Sequence, residues 1–341
     1  MRNLKNQTLR GGFAKLCGQA ASFVVRFGYI MILARLLSPE DFGLVAMVIV
    51  VTGIYELFTS AGLSAAMVQQ ARVTNDQISQ LFWINLLVGL VLAALCVTTA
   101  PVLVRFYHEP RLFWIAIAMA PGFIIAAASV QHMAILQREL RYVAITAIEF
   151  IALLVSIAVG IGMAVAGLGY WALVGAALSL QAASTVCAIA VTRWAPSRVQ
   201  SFSGIAPMLW YGGTLSLNSL VMYVASNADK LMLGRVWGAD ALGLYGRAYQ
   251  LINIPILNLN LAVGGIAFSA LSRLQDDPVR LKSYFLKGYS LVVSMTIPVT
   301  IFCAVFADEI IRVVLGPTWA EAAGTKEPIC ASTATSAFWR R

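Results

Sequence analysis

What most constrains this chain is a succession of nine apolar runs joined by short connections, at 11–34, 42–68, 79–103, 112–133, 143–166, 170–192, 205–233, 241–271 and 283–307. A helix needs roughly 20 apolar residues to cross the hydrocarbon of a bilayer, and each run reaches that length. Charged residues make up 11% of the 341 and hydrophobic residues 60%, with a mean hydropathy of +0.81. Soluble domains carry about 25% charged residues, so so few charges leave a soluble surface of this size uncovered. Period-two alternation is absent, which argues against a barrel. The sequence predicts an all-α fold, a polytopic membrane helix bundle.

The net charge of +9 does not indicate a nucleic-acid partner, because the basic residues sit in short connections and form no uninterrupted patch. One set of alternate connections holds Arg2, Lys5, Arg10, Arg72, Arg138, Arg141, Arg193, Arg198, Arg273, Arg280 and Lys282; the other holds Arg35, Arg105, Arg111, Arg235 and Arg312. The richer set marks the cytoplasmic side and includes the N terminus. The first run exceeds the apolar core of a signal peptide and lacks a small-residue cleavage site before Arg35. Cys17, Cys96, Cys187 and Cys303 lie inside apolar runs, Cys330 outside them, with no CxxC; the four are read as small apolar side chains. His108 and His132 stand near run ends without metal-ligand spacing and are read as interfacial, while Trp83, Trp171 and Tyr284 read as an aromatic belt. No metal site is expected.

The chain repeats itself. "LARLLSPEDFGL" at 33–44 returns as "LGRVWGADALGL" at 233–244, so that Leu33, Arg35, Glu40, Gly43 and Leu44 match Leu233, Arg235, Asp240, Gly243 and Leu244 at an offset of 200. "APVLVRFYHEP" at 100–110 returns as "ADEIIRVVLGP" at 307–317, with an extra seven residues that fit the loop "SRLQDDPVRLKS". Six runs separate the paired hairpins, so the copies share one orientation. Parallel halves about an axis along the membrane normal are a transporter plan, with substrate between the halves. Pro39 and Gly238 suit tight turns, and the acidic residue after each favours the start of the next helix. Two parallel-repeat lobes follow: six spans in residues 1–196, an incomplete lobe of three spans in 197–323, and a divergent tail at 324–341.

The stretches "ARLLSPEDFGLVAM", "TSAGLSAAMVQQ" and "NADKLMLGRVWGADALGLYGRAYQL" resemble the polysaccharide-transport branch of the multidrug/oligosaccharidyl-lipid/polysaccharide (MOP) flippase superfamily, above all its lipopolysaccharide and colanic-acid-type exporters. The resemblance runs from about residue 10 to about 323. It implies a flippase, not an enzyme, that moves undecaprenyl-diphosphate-linked oligosaccharide across the bacterial inner membrane by alternating access, from two six-helix lobes around a cationic cavity. It also implies membrane lipids and polysaccharide assembly proteins as partners.

The residues themselves indicate where such a cavity would lie. Lys15, Gln19, Ser22, Arg26 and Tyr29 follow steps of 4, 3, 4 and 3 and so share one helix face. Lys15 can snorkel to the interface, but Arg26 is mid-run, where a cation costs about 2.5–3.5 kcal/mol on insertion scales. An intramembrane charge is a functional candidate, and a guanidinium forks onto phosphate oxygens; the alternative is an Arg that holds helices together. Glu56 sits midway along the second run, read as level with Arg26: a structural partner, or a coupling or proton site. Ser219, Tyr223, Ser226 and Lys230 form a second stripe, flanked by Asn227 and Asp229, that either packs helices or lines the cavity. Asn253 and Asn260 share a face around Pro255, whose ring permits a bend, so that they belong to a sugar path, a hinge or a structural kink. No nucleotide-binding loop or nucleophile elbow is present and no cofactor is called for, which leaves H+ or Na+ as the driving ion. The competing readings are a multidrug or lipid II exporter of the same fold and, in a different class, a membrane O-antigen polymerase or ligase. The latter should show a large outward loop, and the outward connections here are short.

Past residue 323 the pattern fails. Span four, residues 112–132, maps onto 319–339, "WAEAAGTKEPICASTATSAFW", which holds Glu321, Lys326, Glu327 and Pro328. Unpaired charges of this kind do not suit a lipid-exposed span. The expectation is a truncated or frameshifted reading, with the tail outside the membrane and transport lost or impaired.

Overall fold

In the computed structural model the described residues are 2–60, 74–197, 206–271 and 278–323. Their apolar runs are helical: α1 (Arg2–Leu36), α2 (Pro39–Ser60), α3 (Asn75–Tyr107), α4 (Arg111–Arg138), α5 (Tyr142–Val165), α6 (Trp171–Thr192), α7 (Ala206–Leu271), α8 (Pro278–Val305) and the short α9 (Ala307–Val314), followed by a 3-10 turn over Pro317–Ala323. Among the described residues six segments are long and apolar enough to cross a membrane: Pro39–Phe58, Asn75–Tyr107, Arg111–Arg138, Tyr142–Val165, Trp171–Thr192 and Arg280–Cys303. Helix α7 is one run only nominally. Gly238, at φ 86° and ψ −172°, breaks it into arms 206–237 and 239–271, which are the seventh and eighth spans read from the sequence.

The ends of these helices follow local rules. Ser38 caps α2: its Oγ accepts from Asp41 N at 3.2 Å, and the Asp41 carboxylate accepts from Ser38 N at 3.0 Å. Pro39 then fills the first helical position, where its missing N–H costs nothing. Thr74 and Gln77 cap α3 in the same reciprocal way. His108 and Arg193 end α3 and α6 in the left-handed conformation.

Contacts divide the chain into two units, Met1–Gly243 and Leu244–Arg341. The first unit therefore takes in the first arm of α7, which the repeat assigns to the second lobe. Within it α3 lies along α4, α5 along α6, α4 against α6, α1 along α5, and α2 against α4. The core centres on Leu44, Met47, Val48, Leu103, Leu112, Ile115, Phe123 and Leu242. Small and hydroxyl residues let the helices close on each other, as membrane interfaces favour: Ser156 Oγ donates to Ala176 O at 2.7 Å, Thr185 Oγ1 to Ile125 O at 3.0 Å, and Cys96 Sγ to Ala116 O at 3.3 Å. Cys96 is thus the buried small side chain that its position in an apolar run suggests.

The turns at 37–38, 108–110, 166–170 and 238 gather at one end of this unit, hereafter the turn end. Arg111 reaches Glu40 across it at 2.5 Å, a β-carbon on Gly169 would meet Asp41, and Arg235 meets His108 at 2.7 Å. At the opposite end the chain leaving α6 is tied to the start of α3. Trp194 Nε1 donates to Asn75 Oδ1 at 2.7 Å, Trp83 Nε1 to Ser197 O at 3.1 Å, and Ser197 N to Ser79 Oγ at 3.1 Å. In the second unit Trp319, Leu315 and Ile311 are buried, and Gly316, at φ 104°, ends α9. Residues 324–341 lie outside the described residues.

Candidate functional site

Helix α1 runs parallel to α5, with Gly18 against Thr146 and Tyr29 against Gly160. That register sets Arg26 beside the middle third of α5. The five-residue stripe divides in the structure. Tyr29 turns toward α5, and Ser22 is half-buried, whereas Gln19 and Arg26 stay exposed on the flank of that contact.

Arg26 and Glu56 form no ion pair with each other among the described residues, where the ion pairs include Arg111–Glu40, Arg111–Glu109 and Arg141–Glu139. The reason is depth. Arg26 lies ten residues before the end of α1 and Glu56 seventeen after the start of α2. At 1.5 Å per residue the two differ in depth by about 10 Å, so the hairpin does not bring them level. Glu56 instead lies in the neighbourhood of α7: the Tyr223 hydroxyl sits over Gly53, feels the Glu56 charge, and donates to Ile49 O at 3.2 Å and Val50 O at 3.1 Å.

The stripe read on α7 as Ser219, Tyr223, Ser226 and Lys230 divides: Ser226 is exposed, whereas Tyr223 sits against α2. Asn227 Nδ2 donates to Tyr223 O at 2.9 Å, and Lys230 Nζ donates to Asn227 Oδ1 at 2.9 Å. Tyr223, Asn227, Lys230 and Gly234 recur at steps of 4, 3 and 4, one helix face, and Gly234 lies against Tyr107 and Met47. Asp229 is exposed beside this face. The side chains of Asn253 and Asn260, on the second arm of α7, lie outside the described residues. The structure thus brings Glu56 near Tyr223 alone of the polar residues on α7 named here, and leaves Arg26, Gln19 and Ser22 as a separate polar group on α1.

Both histidines have partners that the sequence reading did not foresee. His132 is 2% exposed, meets Thr192 Oγ1 at 2.7 Å, and packs among Phe82 and Trp194. It is a buried residue rather than an interfacial one, because α4 and α6 run parallel and enclose it. The sequence reading also passed over Asn85 and Gln131, buried on facing turns of α3 and α4. Asn85 Nδ2 and both amide atoms of Gln131 have no protein partner among the described residues. The signal was available: an amide inside an apolar run carries no charge but still needs a hydrogen bond. Beside Trp83, α3 and α4 leave an open hollow of about 500 Å³ lined by Ile84, Leu86, Leu87, Leu90 and Ile124; it offers a charged head group nothing to bond. No cluster of His, Cys, Asp and Glu that could hold a metal ion occurs among the described residues.

The described residues thus form a bundle of helices of which several are long and apolar enough to cross a membrane. The structure aligns with the inward-facing conformation of a multidrug resistance MATE family transporter of the MOP superfamily, at a TM-score of 0.64 and 17% identity over 90% of this chain and 77% of that one. The chain belongs to the polysaccharide biosynthesis protein family, whose profile matches residues 32–324. It is 28% identical over 269 residues to the teichuronic acid biosynthesis protein TuaB of Bacillus subtilis (strain 168), covering 77% of this chain and 55% of that protein. It is 23% identical over 325 residues to the lipopolysaccharide biosynthesis protein WzxC of Escherichia coli (strain K12), covering 93% and 65%. It is also 23% identical over 321 residues to the succinoglycan biosynthesis transport protein ExoT of Rhizobium meliloti (strain 1021), covering 94% and 65%. The chain thus spans just over half to about two-thirds of the length of these relatives.

Proposed function

We propose that this chain is the substrate-moving part of a flippase for lipid-linked oligosaccharide, an undecaprenyl-diphosphate sugar carried from the cytoplasmic to the outer leaflet of the bacterial inner membrane. The observation that carries the reading is the exposed, mid-depth Arg26 in a chain of the polysaccharide biosynthesis family. A guanidinium at that depth suits a diphosphate that must leave water, and nothing in the process breaks or makes a covalent bond. The turn end is the outer side and the N terminus is cytoplasmic, in keeping with the surplus of Lys and Arg in the other set of connections. A proton or sodium gradient drives the cycle, and polysaccharide assembly proteins receive the product.

The multidrug reading is the competitor, because the MATE fold accommodates it. The test is a leaflet-sidedness assay in proteoliposomes that contain this chain and either a defined lipid-linked oligosaccharide or a cationic dye. Movement of the sugar lipid and not of the dye is expected, at the impaired rate that the sequence reading anticipates for this chain. Arg26→Ala should abolish it, about a hundredfold or more if a charge-assisted phosphate contact of about 3 kcal/mol is lost, with the protein inserted at normal abundance. Dye movement without sugar-lipid movement would reverse the assignment.

A further inference from the structure

The repeat that marks this sequence is a physical contact in the molecule. A β-carbon on Gly43 would fall on the carbonyl of Ala239; a β-carbon on Gly243 would fall on the carbonyl of Pro39 and stand 3.1 Å from Gly43 N. Gly43 and Gly243 are repeat equivalents, and so are Pro39 and Ala239. The two hairpins therefore touch reciprocally, backbone to backbone, each glycine beneath the start of the other hairpin's second helix. Such an approach needs residues without side chains. The contact continues inward as a stripe on α2 facing a stripe on α7. Met47 meets Gly234, and the Tyr223 hydroxyl bonds the carbonyls of Ile49 and Val50 above Gly53. Helical steps of 4, 3 and 3 join Gly43, Met47, Val50 and Gly53, and steps of 4, 3 and 4 join Tyr223, Asn227, Lys230 and Gly234. Arg235 adds a clasp at the rim, with Nη1 on His108 Nδ1 and its guanidinium 5.5 Å from the Phe106 ring centre.

We infer that this seam is one closure of the turn end, with Gly43 and Gly243 as its two equivalent contact points and Tyr223 as its inner limit, and that this end opens only by parting α2 from the first arm of α7. The inference rests on the transport reading, since a chain that carries nothing has no need to open. Its physical content is separate. Because the contact is reciprocal, a side chain at either glycine must wedge the same seam.

The test uses the full chain in native membranes, with its cysteines replaced by serine and one cysteine introduced at Val50, a seam position only 6% exposed. A membrane-impermeant maleimide is added from each side in turn. Labelling of the parent should be slow. Gly43→Val and Gly243→Val should each speed it by about tenfold or more, the shift that overpacking of a close contact produces, and only from the turn side. Gly28→Val, where a β-carbon meets nothing within 4 Å, should leave the rate unchanged. Acceleration by only one of the two glycine variants overturns the reciprocal seam, and acceleration from the opposite side overturns its place. Should the valine variants not accumulate, Gly43→Ala, Gly243→Ala and Tyr223→Phe read the same rate, and parent-like labelling in all three overturns the closure. Labelling does not depend on what is carried. Faster labelling without sugar-lipid movement keeps the seam and removes the transport reading; parent-like labelling with normal movement does the opposite.

Discussion

At 33–44 the chain turns through Ser38 and Pro39, with a capping pair between Ser38 and Asp41 that ends one helix and starts the next. At 233–244 it turns through Gly238 alone, whose φ of 86° redirects a helix that is otherwise continuous. The polar residues around the two turns are also used differently. In the first hairpin the acidic residue reaches out, Glu40 to Arg111; in the second the basic residue does, Arg235 to His108. Of the positions identical in the two copies, Gly43 and Gly243 are those where the two backbones meet. An identical residue need not keep its role, since Arg235 meets His108 while the first hairpin reaches α4 through Glu40.

The comparison breaks first at the shared glycines. Gly43→Ala and Gly243→Ala should each destabilise the folded protein by about 1–3 kcal/mol, because a methyl group has to displace a carbonyl that belongs to a packed helix. The two losses should be equal within error, and thermal unfolding in detergent measures them. Gly28→Ala and Gly162→Ala are the internal references. A β-carbon at either meets nothing within 4 Å, so helix propensity alone acts and each should stabilise by roughly 0.5–1 kcal/mol. Losses confined to Gly43 would mean that the hairpins do not meet as equivalents.

The turns themselves come next. Gly238→Ala forces a side chain into a backbone region that only glycine enters freely, at about 1–3 kcal/mol. Ser38→Ala removes one cap, at about 1 kcal/mol, and leaves Pro39 in place to start α2. The same unfolding measurement should therefore rank the glycine turn as the more sensitive one. The reverse order would show that the second turn is held by its neighbours and not by its own conformation.

Much of this was legible before the structure. Each helix follows from the length of its apolar run, and both turns from Pro39 and Gly238. Arg26 stood out because a lone cation in an apolar run has few structural uses; the spacing of Ser219, Tyr223, Ser226 and Lys230 marked a polar region on α7, but not that Asn227 rather than Ser226 bonds Lys230. What the sequence could not supply was register between helices. Arg26 and Glu56 looked level because the hairpin was folded in half by eye, whereas the rise per residue separates them by about 10 Å. The contact between Gly43 and Ala239 joins positions nearly 200 residues apart, and the repeat located both partners without stating that they touch. Asn85 and Gln131 were visible as amides that need a hydrogen bond, but their burial and that of His132 were hidden for a further reason. An uncharged polar residue in an apolar run looks the same from the sequence whether it faces lipid, water or a neighbouring helix.

The smallest expected effect concerns the charges that hold the first hairpin to α4. Arg111 Nε bonds Glu109 Oε1 at 2.7 Å, with Arg111 41% and Glu109 25% exposed. The bond from Arg111 holds the Glu109 carboxyl below its usual range, against a smaller opposing effect of burial. A depressed carboxylate contributes its full stabilisation above the ordinary value of about 4.3 and loses it only as pH falls through the lower, folded-state value. Between pH 5 and 8 the contribution should therefore be constant, and at these exposures it amounts to about 0.2–1 kcal/mol. Glu109→Gln should lower stability by that small amount at pH 7, and the gap between variant and parent should close only below about pH 4. Raising the salt to 1 M should narrow the gap at any pH, because the Debye length falls to about 3 Å. A gap that stayed open well below pH 4 would show that the effect does not come from the Glu109 carboxylate.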